Sequence, residues 1–361
     1  MKRLILAILL LAVPATAVSA QSKKSDLYDI KIRKIKDGIY LAYREEPLRP
    51  FVEGNVTIII NEHDVVLVDA GGSPASARKV IAELKKLTPN PVRYIIYTHI
   101  HRDHRFGTQE YVKAYPGVEI IAHPAIRQII TGSGQKFVTD SVERLKRQYP
   151  EGEAEIRRLR EEGKPGHEQI IAHLKRYYDH DFHTMLEQYR EIINVPPTAS
   201  FEQKLTLYRG PRTIELLFLG KGDTPHDTVI YLPNDKLVCA GDMVVHPIPY
   251  GFSETPLEWL VTLGKLSELD FDTLVPGHGE VQGRDYLKKL MSLLTSVQAQ
   301  VRAGVTAGLN LESVRKRVDV SAFEKSFAGD DPIYRYYFRL YTSEPMIDRT
   351  FKKLKTDRPE K

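Results

Sequence analysis

The fold and the chemistry of this chain are most clearly indicated by the segment His99-Ile100-His101-Arg102-Asp103-His104. It directly follows Arg93-Tyr94-Ile95-Ile96-Tyr97, a predicted strand, and therefore lies on a loop at the end of that strand. Four of its six side chains are imidazoles or carboxylates, which are ligand types that suit zinc. On such a loop the alternating residues His99 and His101 can face one metal ion, while Asp103 and His104 turn toward a second position beside it. The segment therefore predicts a metal site.

Strands and helices lie on both sides of this segment. Upstream, residues 29–35 and 38–44 predict a hairpin, residues 55–60 and 65–68 predict two buried strands, and residues 74–87 predict a helix. Strands are predicted again between residues 204 and 240, and helices dominate from residue 257 onward. No repeat and no low-complexity linker divides the chain. The pattern favours one α/β domain.

A highly charged stretch, about residues 137–194, interrupts the strand pattern. Its apolar residues fall at helical spacing, which predicts an inserted lobe of two or three amphipathic helices. The breaks between them are expected at Pro150-Glu151-Gly152 and at Gly163-Lys164-Pro165-Gly166. Tyr149, Tyr177, Tyr178 and residues 48–51 either form a lid over the site or pack the lobe against the body.

Three further motifs occur along the chain: Val68-Asp69-Ala70-Gly71-Gly72, Gly241-Asp242 and Pro276-Gly277-His278-Gly279. Together with residues 99–104 they resemble the metallo-β-lactamase-fold hydrolase superfamily, in the order that this family has, over about residues 29–294. The resemblance implies an αββα sandwich with the metals at one edge. In this chain the hydrolase domain is expected to span residues 21–361 and to include the inserted helical lobe, about residues 137–194, and a helical tail, about residues 295–361.

The resemblance also implies a role for each motif residue. The ligands it implies are His99 and His101 for a first zinc ion, Asp103, His104 and His278 for a second, and Asp242 between the two. Asp69 matches a supporting acid. In the implied mechanism a metal-bound hydroxide attacks the substrate, and Asp103 acts as the catalytic residue that orients it.

The chain departs from the family pattern at the third ligand of the first zinc ion. The family normally has a histidine in a Gly-His-Thr turn, whereas this chain reads Gly220-Lys221-Gly222-Asp223-Thr224-Pro225-His226. A carboxylate can bind zinc, but it is shorter than an imidazole and carries a charge. Three outcomes are open at this stage: Asp223 is the ligand, His226 takes its place, or the first site is weak or empty and the chain holds one zinc ion.

The remaining histidines and the single cysteine have weaker interpretations. His246 is a possible pocket residue, and His123 either supports the site or packs in the fold. His180 and His183 are three residues apart on a predicted helix and are expected to face solvent. Cys239 lies in a buried strand pattern and is expected in the core.

Composition and the N-terminal residues limit the function classes. The 361 residues are 42% apolar and 27% charged, which is typical of a globular protein. Lys2 and Arg3, an apolar run over residues 4–13 and small residues up to Ala20 predict a secretory signal, and hence a periplasmic or secreted protein. The apolar run is shorter than the ~20 residues of a membrane span. Loss of Lys2 and Arg3 lowers the formal charge from +5 to +3, which disfavours nucleic-acid binding.

These observations predict an exported zinc hydrolase with a small-molecule substrate. An ester, lactone, thioester or similar carbonyl compound is the favoured substrate, because Asp242 resembles the bridging acid of thioesterase and lactonase members. Two alternatives remain open. One is a β-lactam hydrolase similar to the third subclass of metallo-β-lactamases, and the other is a metal-binding or interaction module that has lost catalysis. The oligomeric state is open as well.

Overall fold

A seven-stranded sheet is formed by the first half of the chain in a computed structural model that describes residues 28–45, 48–49 and 52–356. In spatial order its strands are β1 (Ile30–Lys36), β2 (Ile39–Arg44), β3 (Val56–Ile60), β4 (Val65–Val68), β5 (Val92–Ile96), β6 (Glu119–Ala122) and β7 (Ala199–Ser200). The pairs from β1 to β4 are antiparallel, and those from β4 to β7 are parallel. Every residue of β4 is buried, as expected for a strand covered on both faces.

A five-stranded sheet is formed by the second half. Its strands are β8 (Lys204–Arg209), β9 (Arg212–Leu217), β10 (Val229–Leu232), β11 (Leu237–Cys239) and β12 (Thr273–Val275), in the spatial order β12-β11-β10-β9-β8. All pairs are antiparallel except β11 with β12, which is parallel. A parallel pair needs a crossover, and the helix α7 (Pro256–Glu268) lies in the connection between these two strands.

The two sheets pack face to face, and helices cover both outer faces. Ile59 and Val66 of the first sheet meet Ile214 and Ile230 of the second in one buried cluster. Helices α1 (Pro74–Leu87), α2 (Thr108–Ala114) and α3 (Pro124–Ser133) lie on the chain segments between strands of the first sheet, and α8 (Arg284–Thr306) packs with α7 beyond the second. The predicted αββα sandwich is confirmed.

Cys239 belongs to the core between the sheets. Its side chain is buried and forms no disulfide, and burial raises the pKa of its thiol to about 12. The expectation that this residue packs in the core is confirmed.

Helix α4 (Lys136–Glu162) and helix α6 (Phe182–Arg190) form a separate apolar cluster with the loop after β5, whereas α5 (His167–Arg176) and the C-terminal end of α4 pack in the large cluster that contains α7 and α8. The prediction of a break at Pro150-Glu151-Gly152 is wrong, because α4 runs through these residues. Leu145 and Ile156 are buried on either side of Pro150, and this packing holds the helix together where the proline removes a backbone hydrogen bond. The helix ends where Gly163 adopts a positive φ of 55°.

Beyond α8 the described part of the chain continues in four further α-helices, α9 (Leu311–Arg317), α10 (Ser321–Ala328), α11 (Pro332–Tyr337) and α12 (Glu344–Thr356). They pack with α5, α7 and α8 in one large apolar cluster. Within the residues that the structure describes, no helix has the length and apolar character that crossing a membrane requires. The predicted signal, residues 1–20, lies outside the described residues.

Candidate metal centre

The predicted site residues lie on loops at the ends of strands from both sheets. Residues 99–104 follow β5, and Asp103 and His104 form part of a short 3-10 turn. From the second sheet, Asp223 lies between β9 and β10, Asp242 follows β11 and His278 follows β12. The structure brings these residues together in two groups of metal-capable side chains.

The first group consists of His99, His101, Asp223 and Asp242, whose ligand atoms all lie within 4.8 Å of one another. Nδ1 of His101 is 3.5 Å from Oδ2 of Asp223 and 3.6 Å from Oδ2 of Asp242. Nε2 of His99 is 3.5 Å from the same Asp242 oxygen. The His101 side chain is 43% exposed, so this group faces solvent.

The second group consists of Asp103, His104, Asp242 and His278. Nε2 of His104 and Nε2 of His278 are 3.2 Å apart, and they lie 3.1 Å and 3.3 Å from Oδ1 of Asp242. Oδ2 of Asp103 is 3.1 Å from Nε2 of His278. Asp242 therefore presents one carboxylate oxygen to each group.

Three contacts fix the histidines. Nδ1 of His104 lies 2.8 Å from Oδ2 of Asp69, and Nδ1 of His278 lies 2.9 Å from the backbone oxygen of Glu53. Both partners accept hydrogen bonds, so each Nδ1 donates and each Nε2 points toward the group, where it offers its lone pair to a metal once the imidazole has lost its second proton. Nδ1 of His99 pairs with Oγ1 of Thr98 at 2.8 Å, which leaves its Nε2 toward the first group.

Backbone conformation and a glycine complete this arrangement. Asp69 has a φ of 64°, which is uncommon for a residue with a side chain, and its carboxylate also accepts hydrogen bonds from the backbone and hydroxyl of Thr98. A Cβ atom on Gly277 would lie 2.0 Å from Oδ1 of Asp242. Any larger residue at 277 would displace the carboxylate that the two groups share.

Burial and opposite charges set the protonation of the site. Burial acts to lower the pKa of both His101 and His278, but neighbouring carboxylates outweigh it. The hydrogen bond to Asp242 and the charge of Asp223 raise the pKa of His101 to about 9. The charges of Asp242 and Asp103 raise the pKa of His278 to about 9 as well. Burial acts to raise the pKa of Asp242, but His104, His278 and His99 hold it well below its usual range. Burial raises the pKa of Asp223 to about 7, against the opposing charge of His101.

The other histidines singled out in the sequence lie elsewhere. The ring of His226 stacks on that of His123, with the centroids 4.8 Å apart, and His226 belongs to neither group. His246 lies beside Tyr286, and burial lowers its pKa to about 4. His180 pairs with the neighbouring Asp181 at 2.9 Å.

Glu53 and Tyr250 were missed by sequence reasoning. The Tyr250 ring lies 5.3 Å from the His278 ring, and its hydroxyl is buried without a hydrogen-bond partner among the described residues. Burial, Tyr341 and the charges of Asp242 and Asp103 raise its pKa well above the usual value, so the hydroxyl stays protonated. Neither residue belongs to a recognisable sequence motif, and each reaches the site only through folding.

The donor set fits divalent metal ions. Three imidazoles with oriented nitrogens, together with carboxylates and a shared aspartate, match the ligand types of zinc sites. Nε2 of His99 and Oδ1 of Asp242 are both buried without a hydrogen-bond partner among the described residues. Such atoms are costly to bury unless something binds them. Metal ions at the two groups would satisfy the histidine nitrogen in the first group and the aspartate oxygen in the second.

Comparisons with known proteins found a matching family and several similar proteins. The model of a family described as the metallo-beta-lactamase superfamily matches residues 49–278. A linear primary-alkylsulfatase from Pseudomonas sp. (strain ATCC 19151) is 23% identical over 291 residues, which cover 76% of this chain and 51% of the relative. The alpha subunit of a 2,4-dinitroanisole O-demethylase from Nocardioides sp. (strain JS1661) is 24% identical over 301 residues, which cover 80% of this chain and 66% of the relative.

A solved structure shows the same fold over a longer stretch. The stereoselective inverting sec-alkylsulfatase from Pseudomonas sp. superposes with a TM-score of 0.61 at 16% identity, over 90% of this chain and 50% of that one. This chain therefore spans between half and two thirds of the length of these relatives.

Proposed function

Because the chain belongs to the metallo-beta-lactamase superfamily, we propose that it is a metal-dependent hydrolase that holds one zinc ion at each of the two groups. The observation that carries the proposal is the division of the Asp242 carboxylate, with Oδ2 toward the first group and Oδ1 toward the second. A carboxylate in this position would contribute a ligand oxygen to an ion at each group. When bound, such a pair makes a water molecule acidic enough to act as a nucleophile near neutral pH and polarises the bond that is attacked.

The chain's own residues have distinct tasks in this proposal. His99, His101 and Asp223 would hold the first ion, and the exposure of His101 puts substrate access on that side. Asp103 is partly exposed and its pKa is held well below the usual value, since His104 and His278 outweigh the effect of burial. Its ionised Oδ2 is suited to accept a hydrogen bond from the attacking water and so to orient it.

Tyr250 acts on the substrate rather than on the metals. Its protonated hydroxyl is buried next to the second group and has no partner among the described residues. We assign it the role of donating a hydrogen bond to a substrate oxygen that gains negative charge in the transition state.

A sulfate ester of an alcohol is the substrate class proposed first. The alkylsulfatase relative supports it, because the similarity covers 76% of this chain. In the proposed reaction water adds to the ester, one ester bond breaks, and the alcohol and hydrogen sulfate are released. Carboxylic esters, lactones and thioesters are the next classes to test. Export of the chain, from the signal expected in residues 1–20, is part of the same proposal.

A substrate screen with zinc-loaded protein tests this proposal. Octyl sulfate, a carboxylic ester, a lactone, a thioester and a β-lactam are assayed with the unmodified chain and with Asp242→Ala. Asp270→Ala, which removes a carboxylate that is 78% exposed and pairs with Lys236, is the matched control. We expect sulfate release from octyl sulfate, lost in Asp242→Ala and retained in the control. Zinc-loaded protein that hydrolyses none of these compounds would instead indicate a module without catalysis.

A further inference from the structure

A cavity of about 640 Å³ lies between the inserted helices and the C-terminal helices. This volume falls within the range of roughly 300–1,000 Å³ that is usual for small-molecule sites. Half of its lining residues are aromatic or aliphatic, and most of the others are charged or polar. The aromatic and aliphatic ones include Tyr177, Tyr178, Phe252, Tyr336, Leu340 and Tyr341.

Two π-helical turns meet at this cavity. One is Tyr177–Asp181, between α5 and α6, and it contributes two tyrosines to the wall. The other is Phe338–Ser343, between α11 and α12, and it contributes Leu340 and Tyr341. π-Helical turns are rare and are found frequently at functional sites. Two of them, from separate parts of the chain, contribute to the lining of one cavity.

The loop of residues 250–254 connects the cavity with the metal centre. At one end the Tyr250 ring packs against His278 of the second group, and at the other the backbone N–H of Glu254 donates to the backbone oxygen of Asp223 in the first group. Phe252, between these ends, lines the cavity. The backbone N–H of Gly251 donates to the backbone oxygen of Tyr341 at 2.6 Å, so the loop is also tied to the second π-helical turn.

The charged groups of the cavity pair mostly with one another. Arg158 binds Glu155 and Glu162, and Arg339 lies 3.7 Å from Glu344. Both arginines that line the cavity therefore have carboxylate partners. The surroundings do not favour an anionic ligand over a neutral one.

Apolar side chains are also accessible here. Phe252 and Leu340 are 41% and 40% exposed, and both line the cavity. Adjacent exposed apolar residues in a concave surface are typical of a site for an apolar ligand.

We propose that this cavity binds the neutral, apolar organic group of the substrate, while the ester group reaches the two metal positions past Tyr250 and Phe252. The proposal rests on the hydrolase function proposed above and adds a substrate class: esters of large apolar alcohols are preferred to esters of small ones.

Gly152 offers a minimal change to the cavity wall. A Cβ atom there would lie 1.9 Å from Cζ of Tyr178, so Gly152→Ala must move the Tyr178 ring. Gly264 is also within a helix but has no atom within 4 Å of the equivalent position, and Gly264→Ala is the matched control. A second pair is Leu340→Glu, which puts a charge into the wall, and Val261→Glu, at a residue that is 63% exposed outside the cavity.

Binding is measured first with the neutral fluorescent probe N-phenyl-1-naphthylamine, on the full chain without added metal. We expect Gly152→Ala and Leu340→Glu to weaken probe binding at least fivefold, while both controls bind as the unmodified chain does. Circular dichroism verifies that each variant is folded. Equal binding by all folded variants, or no binding by the unmodified chain, would overturn the proposal whether or not the chain is a hydrolase.

Kinetics with zinc-loaded protein then connect the cavity to the substrate. We expect kcat/KM to be at least tenfold higher for octyl sulfate than for ethyl sulfate, and Leu340→Glu to remove this preference through KM. If the probe binds in the cavity but kcat/KM does not depend on the length of the substrate's alkyl group, another ligand occupies the cavity and the substrate assignment is overturned. If no ester is hydrolysed, the proposed hydrolase function is wrong, and so is the assignment of the cavity to the substrate. The probe experiment then still shows whether the cavity binds apolar ligands.

Discussion

The two groups of the metal centre share Asp242 but differ in how their other ligands are supported. In the second group Asp69 orients His104, the backbone oxygen of Glu53 orients His278, and both imidazoles are fully buried. In the first group His101 is 43% exposed, and its contacts are to the other ligands, Asp223 and Asp242. The second group is therefore preorganised for metal binding, whereas part of the first group has freedom to move.

This difference predicts unequal metal affinities. Ligands held by a second set of hydrogen bonds lose little conformational freedom on binding, and loss of such a support typically costs about 10- to 100-fold in affinity. The second group should therefore fill first and release its ion last. The first group should bind its ion more weakly, and substrate exchange is easiest on its exposed side.

Removal of the shared carboxylate should have the largest effect. Asp242→Ala deprives both groups of a ligand, and loss of roughly 4 kcal/mol of transition-state stabilisation corresponds to about a thousandfold fall in kcat/KM. Zinc content by elemental analysis should fall for both positions. Two zinc ions retained by Asp242→Ala would contradict the division of this carboxylate between the groups.

Loss of Asp223 should affect only the first group. Asp223→Ala is expected to lower zinc content from about two ions per chain to about one, and kcat/KM by about a hundredfold. His226→Ala is the matched variant, because His226 lies three residues further on and stacks on His123 instead. It should keep both ions. The opposite result for the two variants would make His226 the ligand.

Loss of the support for His104 should weaken the second group without removing a ligand. Asparagine tolerates the positive φ of Asp69, so Asp69→Asn keeps the backbone but loses an acceptor for Nδ1 of His104. Zinc affinity of the tighter position should fall about 10- to 100-fold. Competition with a chelator measures this, with Asp270→Asn as the control. An unchanged affinity would show that the second group does not depend on this contact.

Zinc binding should also depend on pH. Because the pKa values of His101 and His278 are raised to about 9, both imidazoles are protonated at neutral pH and must lose a proton to bind a metal. Zinc affinity should therefore rise with pH up to about 9, by about tenfold per pH unit for each proton released. Calorimetry in buffers of different ionisation enthalpy counts the released protons. Zinc binding at pH 7 without proton release would contradict these shifts.

Local motifs allowed much of the metal centre to be anticipated from sequence. Residues 99–104 contain four ligand types on one loop, and the strand before them is recognisable by its apolar residues. His278 and Asp242 could be located because each lies in a short motif at the end of a predicted strand. The structure places all of these residues, with Asp223, in the two groups.

Contacts made only on folding could not be predicted in this way. Glu53 supports His278, which is 225 residues away in sequence, and Tyr250 reaches the same histidine through ring packing. The sequence left Asp223 and His226 as alternatives, because only the path of the loop determines which of them faces His101. Helix α4 passes through Pro150 because tertiary packing outweighs the local preference for a break.

The metal centre also has a consequence for the unfolded chain, because its ligands come from both sheets. His104 and His278 are 174 residues apart in sequence, and an ion bound to both would close a loop of that length. In the chain-entropy account, a covalent cross-link over such a loop stabilises a protein by on the order of 5 kcal/mol. A chain with a single cysteine cannot form an internal disulfide. Coordination at the second group would give it an equivalent cross-link, one that a chelator can open and a metal ion can close again.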